Sequence, residues 1–173
     1  MLKTQTAQVG EKTLFFNDFR SPTYGQLDFD QVLSKLFEYI QAEPGLEYEL
    51  IIGTDSIQMI NAQAEFVSAI VVHRKSRGGI YFWSKRFEAN HHNLRNRIFQ
   101  EALLSLKLAE QLLYKLKAIN SSDFNLTIHV DIGPNGETKK MMNEIIGMIV
   151  GNGFAVKTKP DSYGASSVAD RHT

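Results

Sequence analysis

The sequence predicts an α/β domain with a mixed sheet flanked by helices, and three observations point to it. Three segments rich in β-branched and aromatic residues follow one another between positions 48 and 87, joined by short turns. From Leu94 onward the hydrophobic period changes, so that helical stretches alternate with short strands. A chain of 173 residues can bury one sizeable core but would be cramped as two independent domains.

Residues 1–26 are polar and aromatic without clear periodicity, with Pro22 and Gly25 as turn signals, and read as an irregular lead-in. In Leu27–Ile40 the apolar residues Phe29, Val32, Leu33, Leu36, Phe37 and Ile40 recur at helical spacing, and Pro44-Gly45 stops the helix. Residues 1–45 are therefore an N-terminal extension with one helix, expected to pack on the domain formed by residues 46–173. Tyr48–Thr54 is a short apolar run, β-branched at Ile51 and Ile52, with the pattern of a buried strand and Asp55 at its tip. Glu65–His73 and Ile80–Phe87 are two further strands, and Lys75-Ser76-Arg77-Gly78-Gly79 suits the hairpin between them. Leu94–Leu116 is helical, with Leu94, Ile98, Leu108, Leu112 and Leu116 along one stripe; at about 100° per residue, Glu101 falls inside that stripe. Leu126–Asp131 alternates, placing Leu126, Ile128 and Val130 on one face and Thr127, His129 and Asp131 on the other. Asn135–Gly151 reads as a helix opened by Asn135-Gly136 and closed by Gly151-Asn152-Gly153. Phe154–Thr158 is a short strand stopped by Pro160, and Ala165–Asp170 begins a last helix.

After the first helix the order is β-β-β-α-β-α-β-α, which matches the ribonuclease H fold: five strands in the order 3-2-1-4-5, three antiparallel and then parallel. In that fold the ends of Leu50–Asp55 and Leu126–Asp131 are neighbours, about 4.8 Å apart between strands. Two carboxylates about 4 Å apart repel by roughly 4 kcal/mol at an effective dielectric of about 20, so such a pair needs a proton or a cation. Magnesium or manganese supplies that charge through hard oxygen ligands, and two such ions suit phosphoryl transfer. Taken singly, Asp55 is a turn or cap residue, Glu101 a glutamate at the edge of an amphipathic helix, and Asp131 a loop cap. Taken together they fall where a ribonuclease-H-like site places its first three metal ligands, and they are the candidate catalytic acids.

The segments Ile51-Ile52-Gly53-Thr54-Asp55-Ser56, Arg97-Ile98-Phe99-Gln100-Glu101 and His129-Val130-Asp131-Ile132-Gly133-Pro134-Asn135-Gly136 resemble an uncharacterised bacterial family of the ribonuclease-H-like class, the YkuK type. So do Lys159-Pro160-Asp161-Ser162-Tyr163 and Val168-Ala169-Asp170-Arg171, and the likeness runs from about Phe15 to the C-terminus. The resemblance implies metal-dependent phosphodiester hydrolysis, with two Mg2+ or Mn2+ ions as cofactors and RNA, an RNA–DNA hybrid or structured DNA as substrate. It also implies a fourth acid, Asp170, in the terminal helix; Asp161 beside Pro160 is the rival for that place. Arg97, Lys139 and Lys159 are candidate phosphate contacts because each lies beside a motif segment.

Composition limits these expectations. The 19 basic and 19 acidic residues cancel, so any attraction for a polyanion must be local. A non-catalytic module that binds nucleic acid or protein is the alternative, and an actin-like nucleotide-binding domain a more distant one. No Walker-type loop occurs, and Asp55-Ser56-Ile57 stands where a proofreading exonuclease carries Asp-x-Glu. The chain lacks cysteine, a secretory pattern and a long apolar run, which fits a cytoplasmic protein without membrane partners. Zinc is weakly supported: His91-His92 opens the long helix and has no third histidine at metal spacing. His129 reads as a hydrogen-bonded strand residue, and His172 follows the fourth acid where it could shuttle a proton.

Overall fold

The alternation of the segment from 48 to 88 puts every second side chain on one face, so this part of the chain can only be stable as a sheet covered on at least one side. The computed structural model describes residues 15–118, 124–135, 139–162 and 164–173. In chain order the elements are β1 (Phe19–Ser21), β2 (Gly25–Leu27), α1 (Phe29–Gln41), β3 (Tyr48–Gln58), β4 (Ala64–Arg74) and β5 (Gly79–Glu88). There follow α2 (Leu94–Ala118), β6 (Asn125–His129), α3 (Lys139–Gly151), β7 (Ala155–Lys157) and α4 (Ala165–Asp170).

The strands form one mixed sheet in the order β2-β1-β5-β4-β3-β6-β7. The five-strand count and the complete order expected from the sequence are therefore corrected: the sheet has seven strands. The difference comes from the lead-in, where Arg20 pairs with Trp83 and a hairpin of three residues on each arm extends the β5 edge. Strands this short give no usable period, which is why the sequence reads as irregular there.

Helix α1 starts on a capping box: Asp28 accepts from the Gln31 backbone N–H at 2.8 Å, and Gln31 accepts from the Asp28 N–H at 2.8 Å. Its apolar stripe joins those of α2 and α3 and the even-numbered residues Leu50 and Ile52 of β3 in one large core. Phe16, Phe19 and Leu27 belong to the same core. Leu94, expected in the buried stripe of α2, is 37% exposed at the first position of that helix. The opposite face carries a smaller cluster, Ile51, Val67, Ala69, Val71 and Ala169, beneath α4. Among the described residues, three helices thus cover one face and one short helix covers part of the other. No helix among the described residues is long and apolar enough to cross a membrane.

Candidate functional site

Strand β3 runs to Gln58, so Asp55 lies within the strand and opposite Val67, not at the strand tip as the sequence suggests. Strand β6 pairs in parallel with β3 only as far as Ile52 opposite Ile128 and ends at His129. Continuing that register residue by residue brings position 131 level with position 55. The far half of β3 therefore borders a loop instead of a strand, the position at the carboxyl ends of parallel strands where α/β proteins place their ligands. Two backbone hydrogen bonds, Val130 N–H to Lys157 O at 3.0 Å and Lys159 N–H to Ile132 O at 2.8 Å, bracket Asp131 and hold its loop.

Asp55, an odd-numbered residue, belongs to the face covered by α4, whereas Ser56 turns to the face covered by α2. The Ser56 hydroxyl donates to Glu101 Oε1 at 2.6 Å, which fixes that carboxyl against the sheet. One turn further along α2, the Ser105 hydroxyl donates to Thr54 Oγ1 at 2.9 Å, and Thr54 bonds Ser68 at 2.9 Å. This buried chain of hydroxyls sets the helix in register with β3 and β4. On the other face, the Gly164 N–H donates to His129 Nδ1 at 3.3 Å, and a Cβ on Gly164 would meet Ile51 Cδ1 at 2.8 Å. Backbone contact this close is what glycine permits, and it seats α4, with Asp170 at its end, directly on β3. Thr173 Oγ1 then donates to Asp55 Oδ2 at 3.4 Å.

The electrostatics follow from this convergence. Burial pushes the Glu101 carboxyl up to about 8, and the charges of Asp55 and Asp131 push the same way against the opposing hydrogen bond from Ser56 and the charge of Arg97. Burial also raises the Asp55 carboxyl, opposed by the Ser56 backbone N–H and reinforced by the charges of Asp170 and Asp131. Asp170 and Asp131 thus act through space on Asp55, and Asp55 and Asp131 on Glu101. Asp161 does not figure among those influences; its backbone N–H bonds Thr158 in a turn.

The candidate cations are placed differently from one another. Lys159 Nζ lies 2.9 Å from Asp131 Oδ1. Arg97 is half-buried and donates to the Ser56 carbonyl at 3.0 Å and its hydroxyl at 3.3 Å, so it braces β3 instead of reaching outward. Lys139 is exposed at the first position of α3. The opening turn expected at Asn135-Gly136 extends into residues 136–138, outside the described residues. His91 packs edge-on against Phe66, and His172 stacks on Trp83 at 3.7 Å, neither among the acids. Ser56, Ser105 and Gly164 are the residues that sequence reasoning missed. Only Ser56 carried a signal, as the residue directly after an acid in a strand.

An all-oxygen donor set in which burial first, and neighbouring carboxylates second, raise Asp55 and Glu101 suits a hard divalent cation. As the side chains stand, Lys159 occupies Asp131 and Ser56 occupies Glu101, and no three His, Asp or Glu side chains among the described residues enclose an ion. The donor chemistry fits such an ion.

A family model described as Ribonuclease H-like matches residues 31–173. The chain is also 31% identical over 179 residues to Uncharacterized protein YkuK of Bacillus subtilis (strain 168), covering 95% of this chain and 99% of that protein. No solved structure matches the chain. With the mixed sheet, the parallel β3–β6 pair and this likeness along nearly the whole length, the chain belongs to the ribonuclease H-like family, in its YkuK-type branch.

Proposed function

We propose that this protein is a metal-dependent phosphodiester hydrolase that cuts nucleic acid. The observation that carries this reading is the convergence of acids on β3: its register with β6 brings Asp131 level with Asp55, the neighbouring Ser56 holds Glu101 at 2.6 Å, and burial reinforced by Asp55 and Asp131 pushes Glu101 up to about 8. Asp55, Asp131 and Asp170 would hold one Mg2+ or Mn2+ ion, and Asp55 with Glu101 a second. Bound there, the ions supply Lewis-acid activation and charge neutralisation for phosphoryl transfer. The protein's own contribution is positional: Ser56 and Ser105 fix α2, the Gly164–His129 contact fixes α4, and Arg97 keeps β3 straight beside Glu101. Lys159, released from Asp131, would meet a substrate phosphate, with Lys139 further out.

The test is cleavage of labelled RNA, RNA–DNA hybrid and structured DNA in Mg2+ and in Mn2+. Wild type is expected to cut at least one of them, and Asp55→Asn is expected to lose at least about two orders of magnitude in rate. Equal cutting by both proteins would dismiss the site.

A second reading has its own support. The Lys159–Asp131 ion pair leaves Asp131 satisfied without metal, as expected of a ribonuclease-H-like module that binds and does not cut. Calorimetric titration with Mn2+ separates the two readings, since the binding module takes up no ion at these acids.

A further inference from the structure

Strand β5 presents Tyr81, Trp83, Lys85 and Phe87 at alternate positions, which places all four on the face that α4 only partly covers. Register ties this row to the acids: Lys85 pairs with Val67, and Val67 with Asp55. Asp55 therefore lies two strand spacings away, roughly 10 Å, on the same face. Phe87 is 63% exposed, a large aromatic ring with nothing built over it among the described residues. Arg20, exposed on β1 and paired with Trp83 in register, flanks the row and has no carboxylate partner among the described residues. Lys85 is bound to Glu65 at 2.7 Å, so the carboxylate nearest the row is paired.

The C-terminal segment shows what this surface accepts. The imidazole of His172 lies flat on Trp83, ring centres 3.7 Å apart and planes within 6°, and its Nε2 is 3.4 Å from the Tyr81 hydroxyl. A planar nitrogen heterocycle stacked on an indole and edged by a phenol is the contact that a nucleobase makes on a stacking platform. Trp83 and Phe87 lie four residues apart on one face of the strand, roughly 13–14 Å, a span that an unstacked single strand can bridge, whereas bases inside a duplex offer no open ring face.

We propose that the open face of β5 is a track for single-stranded nucleic acid, which enters past Arg20 on β1, stacks on Phe87 and on the Trp83–His172 pair, and continues across the sheet toward the acids on β3. The inference rests on the nucleic-acid reading given under Proposed function and narrows its substrate class to strands with unpaired bases.

Trp83 is the single tryptophan of the chain, so its emission reports on the track directly. Twelve-nucleotide oligo-dT and oligo-U, titrated in EDTA so that cutting plays no part, are expected to quench that emission saturably. Phe87→Ala, at an exposed position that leaves the core intact, is expected to weaken binding about tenfold. Arg20→Gln is expected to reduce the slope of log affinity against log salt by about 0.7. Absence of quenching, unchanged affinity in Phe87→Ala, a blunt duplex binding as tightly as either oligomer, or self-association that hides Trp83 would each overturn the track. The two oligomers separate DNA from RNA as the natural strand. If single strands bind through Phe87 yet no substrate is cut with Mg2+ or Mn2+, the catalytic reading fails and the track stands. If duplex is cut equally by wild type and Phe87→Ala, the track fails and the catalytic reading stands.

Discussion

Replacing Glu101 by glutamine isolates the electrostatic claim on which the site depends. Glutamine keeps the shape and still accepts the Ser56 hydroxyl bond made at 2.6 Å, so packing is little disturbed. In the wild type without metal, burial holds the folded carboxyl protonated up to about 8, whereas in the unfolded chain it ionises near 4.5. Between those values the native state binds one more proton than the unfolded state. Stability contributed by this group is thus full below 4.5 and lost as pH rises toward 8, at up to about 1.4 kcal/mol per pH unit. His129 has the opposite sign: burial, aided by the Lys157 charge, lowers it from 6.5 to about 4, so its contribution falls away as pH drops through that range. The window from pH 6.5 to 8 therefore belongs to Glu101, and over it the wild type is expected to lose roughly 2 kcal/mol relative to Glu101→Gln. Urea unfolding of both proteins in EDTA at the two ends of the window measures this difference, and Mn2+ should reverse it for the wild type alone. A difference that changes by less than about 0.5 kcal/mol across the window would refute the buried, repelled carboxyl.

Other consequences follow from the contacts around the acids. Ser105→Ala, which breaks the hydroxyl chain to Thr54 and Ser68, should cost about 1–2 kcal/mol in urea unfolding and loosen α2. Gly164→Ala should cost about 1–3 kcal/mol by pushing α4 off Ile51, and Ile51→Val, which removes the clashing Cδ1, should restore part of it; a purely additive double mutant would contradict the contact. Relative to the wild type, His129→Gln should gain stability as pH falls from 6.5 to about 4, because it lacks the His129 loss over that range; urea unfolding of both proteins at both pH values measures the difference. Lys159→Gln should raise Mn2+ affinity severalfold in calorimetry while weakening substrate binding, because the lysine competes with the cation at Asp131.

What the sequence by itself determined is whatever shows in a local period. The alternation through β3, β4 and β5 and the apolar stripes of α1, α2 and α3 are long enough to declare their type, and the order of those elements narrows the topology to one family of sheets. The aspartates at 55 and 131 and the glutamate at 101 were legible for the same reason, since each has a definite place on an element of known type. Tertiary structure alone decided the rest. The hairpin of β1 and β2 exists because Arg20 finds Trp83, a pairing between residues 63 positions apart that no three-residue strand announces. The Glu101 carboxyl is shifted because folding buries it, with Asp55 and Asp131 adding to the shift against the Ser56 hydrogen bond, and Asp170 acts on Asp55 because Gly164 lets α4 touch Ile51 and His129. Periodicity records which side of an element meets the core; repulsion, desolvation and close backbone approach depend on distances across the sheet, which exist only once the chain has folded.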